Sequence, residues 1–406
     1  MLRRLLFLAS SIVFLDTVFF AAIVPLLPTY AADFDLSKTG AGILAAAYPA
    51  GTFLGALPGG WLTARIGVRP TVVLGLATLI VSSLAFAFAN SILVLDLARF
   101  VQGLGGAASW AGAVGWLVGA APRERRGELI GSAMAAAIVG ALGGPVLGAA
   151  AVALSPEVVF SGVALAGVGL LAWALRTPAQ PPPSAPPTIR TVLAALREPR
   201  IATGMWLIVL VGLMFGTLDV LAPLRLDELG ASAAVIGATF LVAAALEAGE
   251  SPFIGRLSDR HGRVLPAFAG LAAAGVAVAL LPWPQETWLL IAVVLVAAPS
   301  VGILWTPSMA MLSDGAEARG IEQGYAVALT NLAWSTGQTL GSAGGARLGE
   351  AYGDALPYLT LAGMSALTLL ALTRPRYSGA LAGPPPTSDG GARSGASARP
   401  ARRAGG

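Results

Sequence analysis

The chain has 406 residues, 56% of them hydrophobic and only 11% charged, with a formal net charge of +4. Soluble domains carry about 25% charged residues, so this composition excludes an ordinary water-soluble globule and predicts a membrane protein. There is no cysteine, and the single histidine, His261, sits in an arginine-rich loop. Disulfides, thiolate metal sites and histidine-based catalysis are therefore not expected, and the reading is a non-enzyme with no cofactor and no metal.

Runs of about 20 apolar residues cross a ~30 Å hydrocarbon core as helices, because lipid offers backbone N–H and C=O groups no other partner. Twelve runs meet this description, at 5–28, 39–62, 70–89, 92–119, 129–152, 158–175, 201–224, 233–254, 265–283, 287–312, 323–346 and 354–373. The first opens MLRRLLFLASSIVFLDTVFFAA and continues to Leu27. That is longer than the 7–15-residue core of a signal peptide, so it reads as an uncleaved first span, with Asp16 inside it. The second span leads into GWLTARIGVR, starting at Gly60.

The fourth span contains LDLARFVQGLGGAA, with Arg99 in it. A charge at the centre of a membrane helix costs at least ~2.5–3.5 kcal/mol, and arginine cannot shed its proton to escape. Arg99 must find an anion, water or other acceptors in the interior. At 1.5 Å per residue, Asp16 and Arg99 lie at similar depth. The expectation is that Asp16 faces a central cavity and binds a proton or a cationic substrate while Arg99 tunes it. The alternative is a permanent Asp16–Arg99 ion pair.

The fifth span reads AIVGALGGPVLGAA. Gly140, Gly144 and Gly148 recur every four residues and line one face, which lets a neighbouring backbone come close. Pro145 removes a backbone hydrogen bond and bends the helix. Residues 176–200 are proline-rich and predict a linker between halves. The division expected is an N-terminal six-helix bundle at 1–175, a cytoplasmic linker at 176–200, a C-terminal six-helix bundle at 201–373 and a disordered tail at 374–406.

In the second half, GRLSDRHGRV from Gly255 follows the eighth span as GWLTARIGVR follows the second. Such internal repeats are the usual build of secondary transporters. Glu247 and Glu250 in the eighth span are three residues apart and share a face, so Glu247 is a second candidate proton carrier. Glu250 could instead pair with Arg256 or Arg260. Asp219 and Asp96 are expected as solvated groups near the outer face. Asn331, Trp334 and Gln338 form one stripe on the eleventh span, and with Gln102 they are expected to wall a cavity for an amphiphilic ligand. Inter-helix hydrogen bonding is the alternative for the stripe. Trp110, Trp116 and Trp305 read as packing or interface anchors.

With the N-terminus inside, every basic residue except Lys38, Arg225, Arg347 and the mid-span Arg99 falls on the inner side. This positive-inside bias predicts a multi-pass protein of the cytoplasmic membrane with both termini cytoplasmic. It also makes the net positive charge an orientation signal rather than a sign of nucleic acid.

Four motifs resemble the major facilitator superfamily, and specifically its twelve-helix drug:proton antiporters, over about residues 1–375. The loop after the second helix is matched by Gly60, Arg65, Gly67 and Arg69, with Ala64 in place of the usual Asp and Val68 in place of a base. Its repeat is intact as Gly255, Asp259, Arg260, Gly262 and Arg263. Leu95, Arg99, Gln102, Gly103, Gly105, Gly106 and Ala107 match the fourth-helix motif, and Leu15, Asp16 and Pro25 the first-helix one. Gly131, Gly140, Gly144, Pro145 and Gly148 match the antiporter motif of the fifth helix.

The resemblance implies an all-α fold of twelve transmembrane helices in two pseudo-symmetric six-helix bundles. It implies a cytoplasmic gate at the two loops and a fifth-helix seam between the halves. It also implies proton-coupled efflux of small amphiphilic compounds or drugs by alternating access. The partners expected are a small-molecule substrate, protons and the lipid bilayer, with the protein a monomer. A sugar or metabolite exporter of the same fold is the alternative, and a non-transporting membrane sensor comes behind it.

Overall fold

The structure is a computed structural model that describes residues 2–120, 126–179, 190, 194–319 and 323–374. The expected linker falls largely outside those residues, and of the expected tail only Arg374 is described. Among the described residues there is helix and no strand. The elements are α1 (Leu2–Ala21), α2 (Ile23–Asp33), α3 (Lys38–Ile66), α4 (Val68–Ala87), α5 (Ile92–Ala120), α6 (Arg126–Ala153) and α7 (Pro156–Arg176). They continue as α8 (Pro199–Glu228), α9 (Ala233–His261), α10 (Val264–Leu280), α11 (Thr287–Gly302), α12 (Trp305–Ala318), α13 (Gln323–Tyr352) and α14 (Ala355–Leu372).

Counted across the bilayer, these make the twelve predicted spans. α1 and α2 together form span 1, and α11 with α12 forms span 10. Ten of the twelve are long and apolar enough to cross a membrane on length and composition. α10 is 17 residues long and apolar but falls short of that length. α13 has the length, at 30 residues, but carries Thr330, Asn331, Ser335, Thr336, Gln338 and Thr339 along its middle.

The two breaks were not expected, and both have backbone causes. In span 1, Pro25 has no N–H for the carbonyl of Ala21, and the helix is interrupted at Ala22. In span 10, Ile303 and Leu304 separate the two pieces, between Pro299 and Pro307.

Spans 1–6 pack among themselves, as do spans 7–12, and the halves meet where α3 lies along α13 and α6 along α9. The repeat seen in the sequence is also a repeat of backbone chemistry. Ser37 caps α3 by accepting from Gly40 N, and Ser232 caps α9 by accepting from Val235 N. Each helix then ends, 30 residues after its serine, at a glycine in the left-handed region, Gly67 (φ 91°) and Gly262 (φ 82°). Only glycine takes that conformation without strain, which is why both loop motifs keep it.

Lipid is as apolar as leucine, so tight van der Waals packing rather than water exclusion holds such helices together. In the first half a cluster of Phe19, Tyr30, Phe86 and Phe160 stacks edge to face, with Phe86 and Phe160 centroids 4.9 Å apart. Large apolar side chains such as Phe7, Leu165 and Leu367 point outward, as a lipid-facing surface requires.

Candidate functional site

Span 1 is interrupted at Ala22, and Arg99 reaches the backbone of the turn just before the interruption. Its Nη1 donates to Phe19 O at 3.2 Å and its Nη2 to Phe20 O at 3.0 Å. Nη1 also donates to Gln102 Oε1 at 2.9 Å, one turn along α5. The guanidinium sits over the rings of Tyr48, Phe20 and Phe19 at 5.3, 5.8 and 5.9 Å. A cation at the carbonyl end of a half-helix is favoured by the helix dipole, and aromatic faces add cation–π attraction. This is how a 1% exposed arginine is accommodated without a carboxylate at its head.

Asp16 lies on α1, six residues before that break, and is fully buried. Its Oδ2 accepts from Tyr48 Oη at 2.7 Å and from Trp110 Nε1 at 3.2 Å, while Oδ1 has no hydrogen-bond partner. No ion pair within 4 Å joins Asp16 to Arg99, so the permanent pair considered from the sequence does not form here. Tyr48 stands between the two, donating its hydroxyl to the acid and offering its ring to the base. Space for the carboxylate is made by Gly106, where a Cβ would fall 2.9 Å from both Asp16 oxygens and from Tyr48 Oη. Trp110 is thus part of the site and not merely a packing group.

Phe20 stacks on Tyr48 at 4.7 Å and meets Trp334 of α13 edge-on at 5.3 Å, the aromatic link from this site to the other half. Trp334 and Asn331 are half-buried. Gln102 and Gln338, expected to wall the cavity, are both enclosed. Gln102 is occupied with Arg99, and Gln338 Nε2 donates to Asp219 Oδ2 at 3.1 Å. Their positions correct the expectation of cavity walls: in this conformation each amide is enclosed and bonded to an interior side chain, Gln102 to Arg99 and Gln338 to Asp219. Asp219 is corrected as well, being a half-buried group with a buried partner rather than a solvated cap.

Glu247 and Glu250 lie on α9, as expected, and do not join Asp16. Glu247 lies against α11, with its Cδ 2.9 Å from where a Cβ at Gly302 would be. Glu250 Oε1 is buried without a partner, and among the described residues it forms no ion pair with Arg256 or Arg260.

The fifth-span glycines pack, but chiefly onto span 1 of their own half. A Cβ at Gly140 would fall 2.8 Å from Phe14 O, while Gly144 and Gly148 lie against Ala21 and Ala22 O. The contact across the seam comes from the neighbouring positions. Gly237 of α9 approaches Pro145 O and Ala149 Cβ, each 3.0 Å from its would-be Cβ. Gly131 has open space around it. The expected seam between halves is therefore shared: the glycine face closes on the broken helix, and the proline turn touches the other half.

Among the described residues, no hydrogen bond, ion pair or ring contact from the two loop motifs reaches the opposite half. Arg65 stacks on Trp61 at 5.0 Å, and Arg69 donates to Leu175 O at the end of α7. Asp259 pairs with Arg263, which also reaches Asp314 of α12 at 3.2 Å. Arg260 is exposed, and Gly60 and Gly255 lie on the last turns before their loops. These contacts all stay within one half.

Among the described residues, the ion pairs that cross between halves are at the opposite end of the bundle, where the sequence predicts none. Lys38 Nζ, at the start of α3, bonds both oxygens of Asp354 at 2.9 Å and lies 3.7 Å from Glu228 Oε1. Beside it, Glu350 Oε2 accepts from Thr39 N at 2.7 Å.

The Major Facilitator Superfamily family model matches residues 6–321 and 209–403. The chain is 26% identical over 301 residues to the synaptic vesicular amine transporter of Homo sapiens, a match covering 72% of this chain and 58% of that protein's length. It is 28% identical over 400 residues to the uncharacterized MFS-type transporter YcaD of Shigella flexneri serotype 5b (strain 8401), covering 92% of this chain and 96% of the relative. Among solved structures, a D-xylose-proton symporter superposes with a TM-score of 0.71 at 16% identity, over 90% of this chain and 96% of that one. A POT peptide transporter in complex with sulfate gives 0.74 at 15% identity, over 93% and 96%. The chain belongs to the major facilitator superfamily.

Proposed function

We propose that this chain is a proton-coupled exporter of small amphiphilic compounds, working by alternating access in the cytoplasmic membrane with both termini inside. The carrying observation is Asp16: a fully buried carboxylate with one oxygen free of partners, on the helix that breaks at Ala22, held by Tyr48 and Trp110 with Phe20 stacked on Tyr48. A buried carboxylate that is not neutralised by its arginine neighbour is a group that can exchange a proton or a cation. Aromatic rings around it suit an amphiphilic ligand with a positive end, and the similarity to an amine transporter favours that class over sugars. Glu247 is the second exchanging carboxylate in this scheme. The fifth-span glycines and Pro145 support antiport, since they tie the span 1 break to the seam between halves. In the orientation set by the arginines, the Lys38 contacts lie outside, so this conformation is the one closed to the exterior.

The test is transport in proteoliposomes across a panel of cationic amphiphiles and sugars. Substrate addition should release or consume protons for the amphiphiles, and Asp16→Asn should abolish the coupled flux. Undiminished proton-driven export by Asp16→Asn would overturn the assignment. Proton-coupled movement of sugars alone would replace the substrate class.

A further inference from the structure

The sequence predicts Asp219 as a solvated group near the outer face, and the structure gives it a different setting. α8 continues to Glu228, so Asp219 lies nine residues, or ~14 Å, inside the end of its helix. It occupies span 7, the counterpart of span 1 in the second half, and sits in a Leu-Asp pair as Asp16 does. Spans 7 and 11 approach backbone to backbone here. A Cβ at Gly212 would fall 2.9 Å from Gln338 N, and one at Gly216 2.6 Å from Gln338 O and 3.1 Å from Ser342 Oγ.

The geometry of Gln338 is the informative part. It is 4% exposed, its Nε2 donates to Asp219 Oδ2, and its Oε1 has no hydrogen-bond donor. Ser342 Oγ, one turn further on and fully buried, is also without a partner. A buried acceptor left unpaired is costly and uncommon. An ionised carboxylate can only accept, so it cannot satisfy Oε1. A protonated carboxyl has one O–H to give. A carboxylic acid and a primary amide can then close a ring of two hydrogen bonds, the amide N–H to one carboxyl oxygen and the carboxyl O–H to the amide oxygen. The N–H half of that ring is already present. Asp16 differs, for its neighbours Tyr48 and Trp110 both donate, a setting that suits the ionised form or a bound cation.

Resting on the transport reading above, we infer that Asp219 is a further proton-binding carboxylate, positioned by Gln338, and that it carries one proton per cycle in addition to the ion handled at Asp16. The step is a reversible protonation, in which one proton from water adds to a carboxylate oxygen and is later returned to water on the other side. Glu247 of α9 and Tyr358 of α14 lie within electrostatic reach of Asp219.

Two measurements on the full chain test this. The first is the pH-dependent infrared absorption of carboxylic C=O groups in lipid nanodiscs, which needs no substrate. Asp219→Asn should delete one titrating band, and Gln338→Met should move that band's frequency and midpoint while Asp219 remains. The second is the proton-to-substrate ratio from flux reversal in proteoliposomes, which should fall by one proton in Asp219→Asn. An Asp219→Asn protein with the wild-type bands, or with bands changed but the wild-type ratio, would overturn the inference. So would a Gln338→Met protein whose Asp219 band is unmoved. If the Asp219 band titrates as expected but no compound moves protons in any protein, the export reading fails and the protonation site stands.

Discussion

Gly106 occupies a place where a single methyl group would meet two carboxylate oxygens and a phenol at 2.9 Å. Gly106→Ala should therefore push Asp16 away from Tyr48 while leaving the backbone able to fold. Overpacking of this kind costs typically 1–3 kcal/mol. The expected outcome is substrate affinity lowered by about tenfold or more, read by binding to purified protein, with little change in expression. Tyr48→Phe removes the 2.7 Å bond to Asp16, and a hydrogen bond to a charged group is worth about 1.5–3 kcal/mol. It should weaken binding of a cationic ligand while leaving the Arg99 contacts to Phe19 and Phe20 in place. Asp16 and Arg99 were legible as interior groups from the sequence because a charge inside a membrane run is rare and expensive. Their partners were not, because an aromatic residue in an apolar helix has many bland uses and no period marks the one that donates a hydrogen bond. Asp219 was misread because its predicted span stopped at 224, which placed it five residues from the end rather than nine.

The glycine face of α6 and the break between α1 and α2 form one unit. Gly144 and Gly148 lie against Ala21 and Ala22, the residues at the interruption. Gly144→Val would drive a branched side chain into the α1 backbone. It should lower the unfolding midpoint in detergent by several degrees, since a backbone contact cannot yield as a flexible side chain can. Gly131→Ala, with nothing around it, should be neutral in the same assay. If both variants melt alike, the close packing of the seam is not what the glycines supply. The four-residue glycine period was readable in the sequence because it needs only the helical repeat. Its partner was not, because small residues say that a helix comes close without saying which one. Both helix breaks were missed for a related reason: a membrane run with a proline still reads as a single span when only length and hydropathy are counted.

For the whole molecule, the closed end is held by charges that span the two halves. Lys38 joins Asp354 and Glu228, and Glu350 takes the N–H of Thr39. An ion pair near the surface contributes about 0.2–1 kcal/mol, enough to shift a balanced two-state equilibrium a few-fold. Lys38→Ala should raise the share of molecules open at this end by that factor. Single cysteines introduced on this side of the cysteine-free chain would read it by their labelling rates. Hydrogen bonds from Thr39 hold the Glu350 carboxyl, beyond the predicted span 323–346, down to about 2. A depressed carboxylate contributes its full stabilisation above the ordinary glutamate value of 4.5, and loses it only as pH falls through the depressed one. The Glu350 contact should therefore be insensitive to pH in the neutral range, whereas added salt should loosen the exposed pairs by screening. Labelling that tracks neutral pH but ignores ionic strength would contradict this.

Lys38 is also the one lysine in the sequence. An amine-selective reagent consequently has a single side-chain target, and that nitrogen is engaged with two acids while the halves are shut. Its acylation rate becomes a clock for how often this end of the bundle swings free. Each modified molecule, its positive charge gone, should then stay ajar.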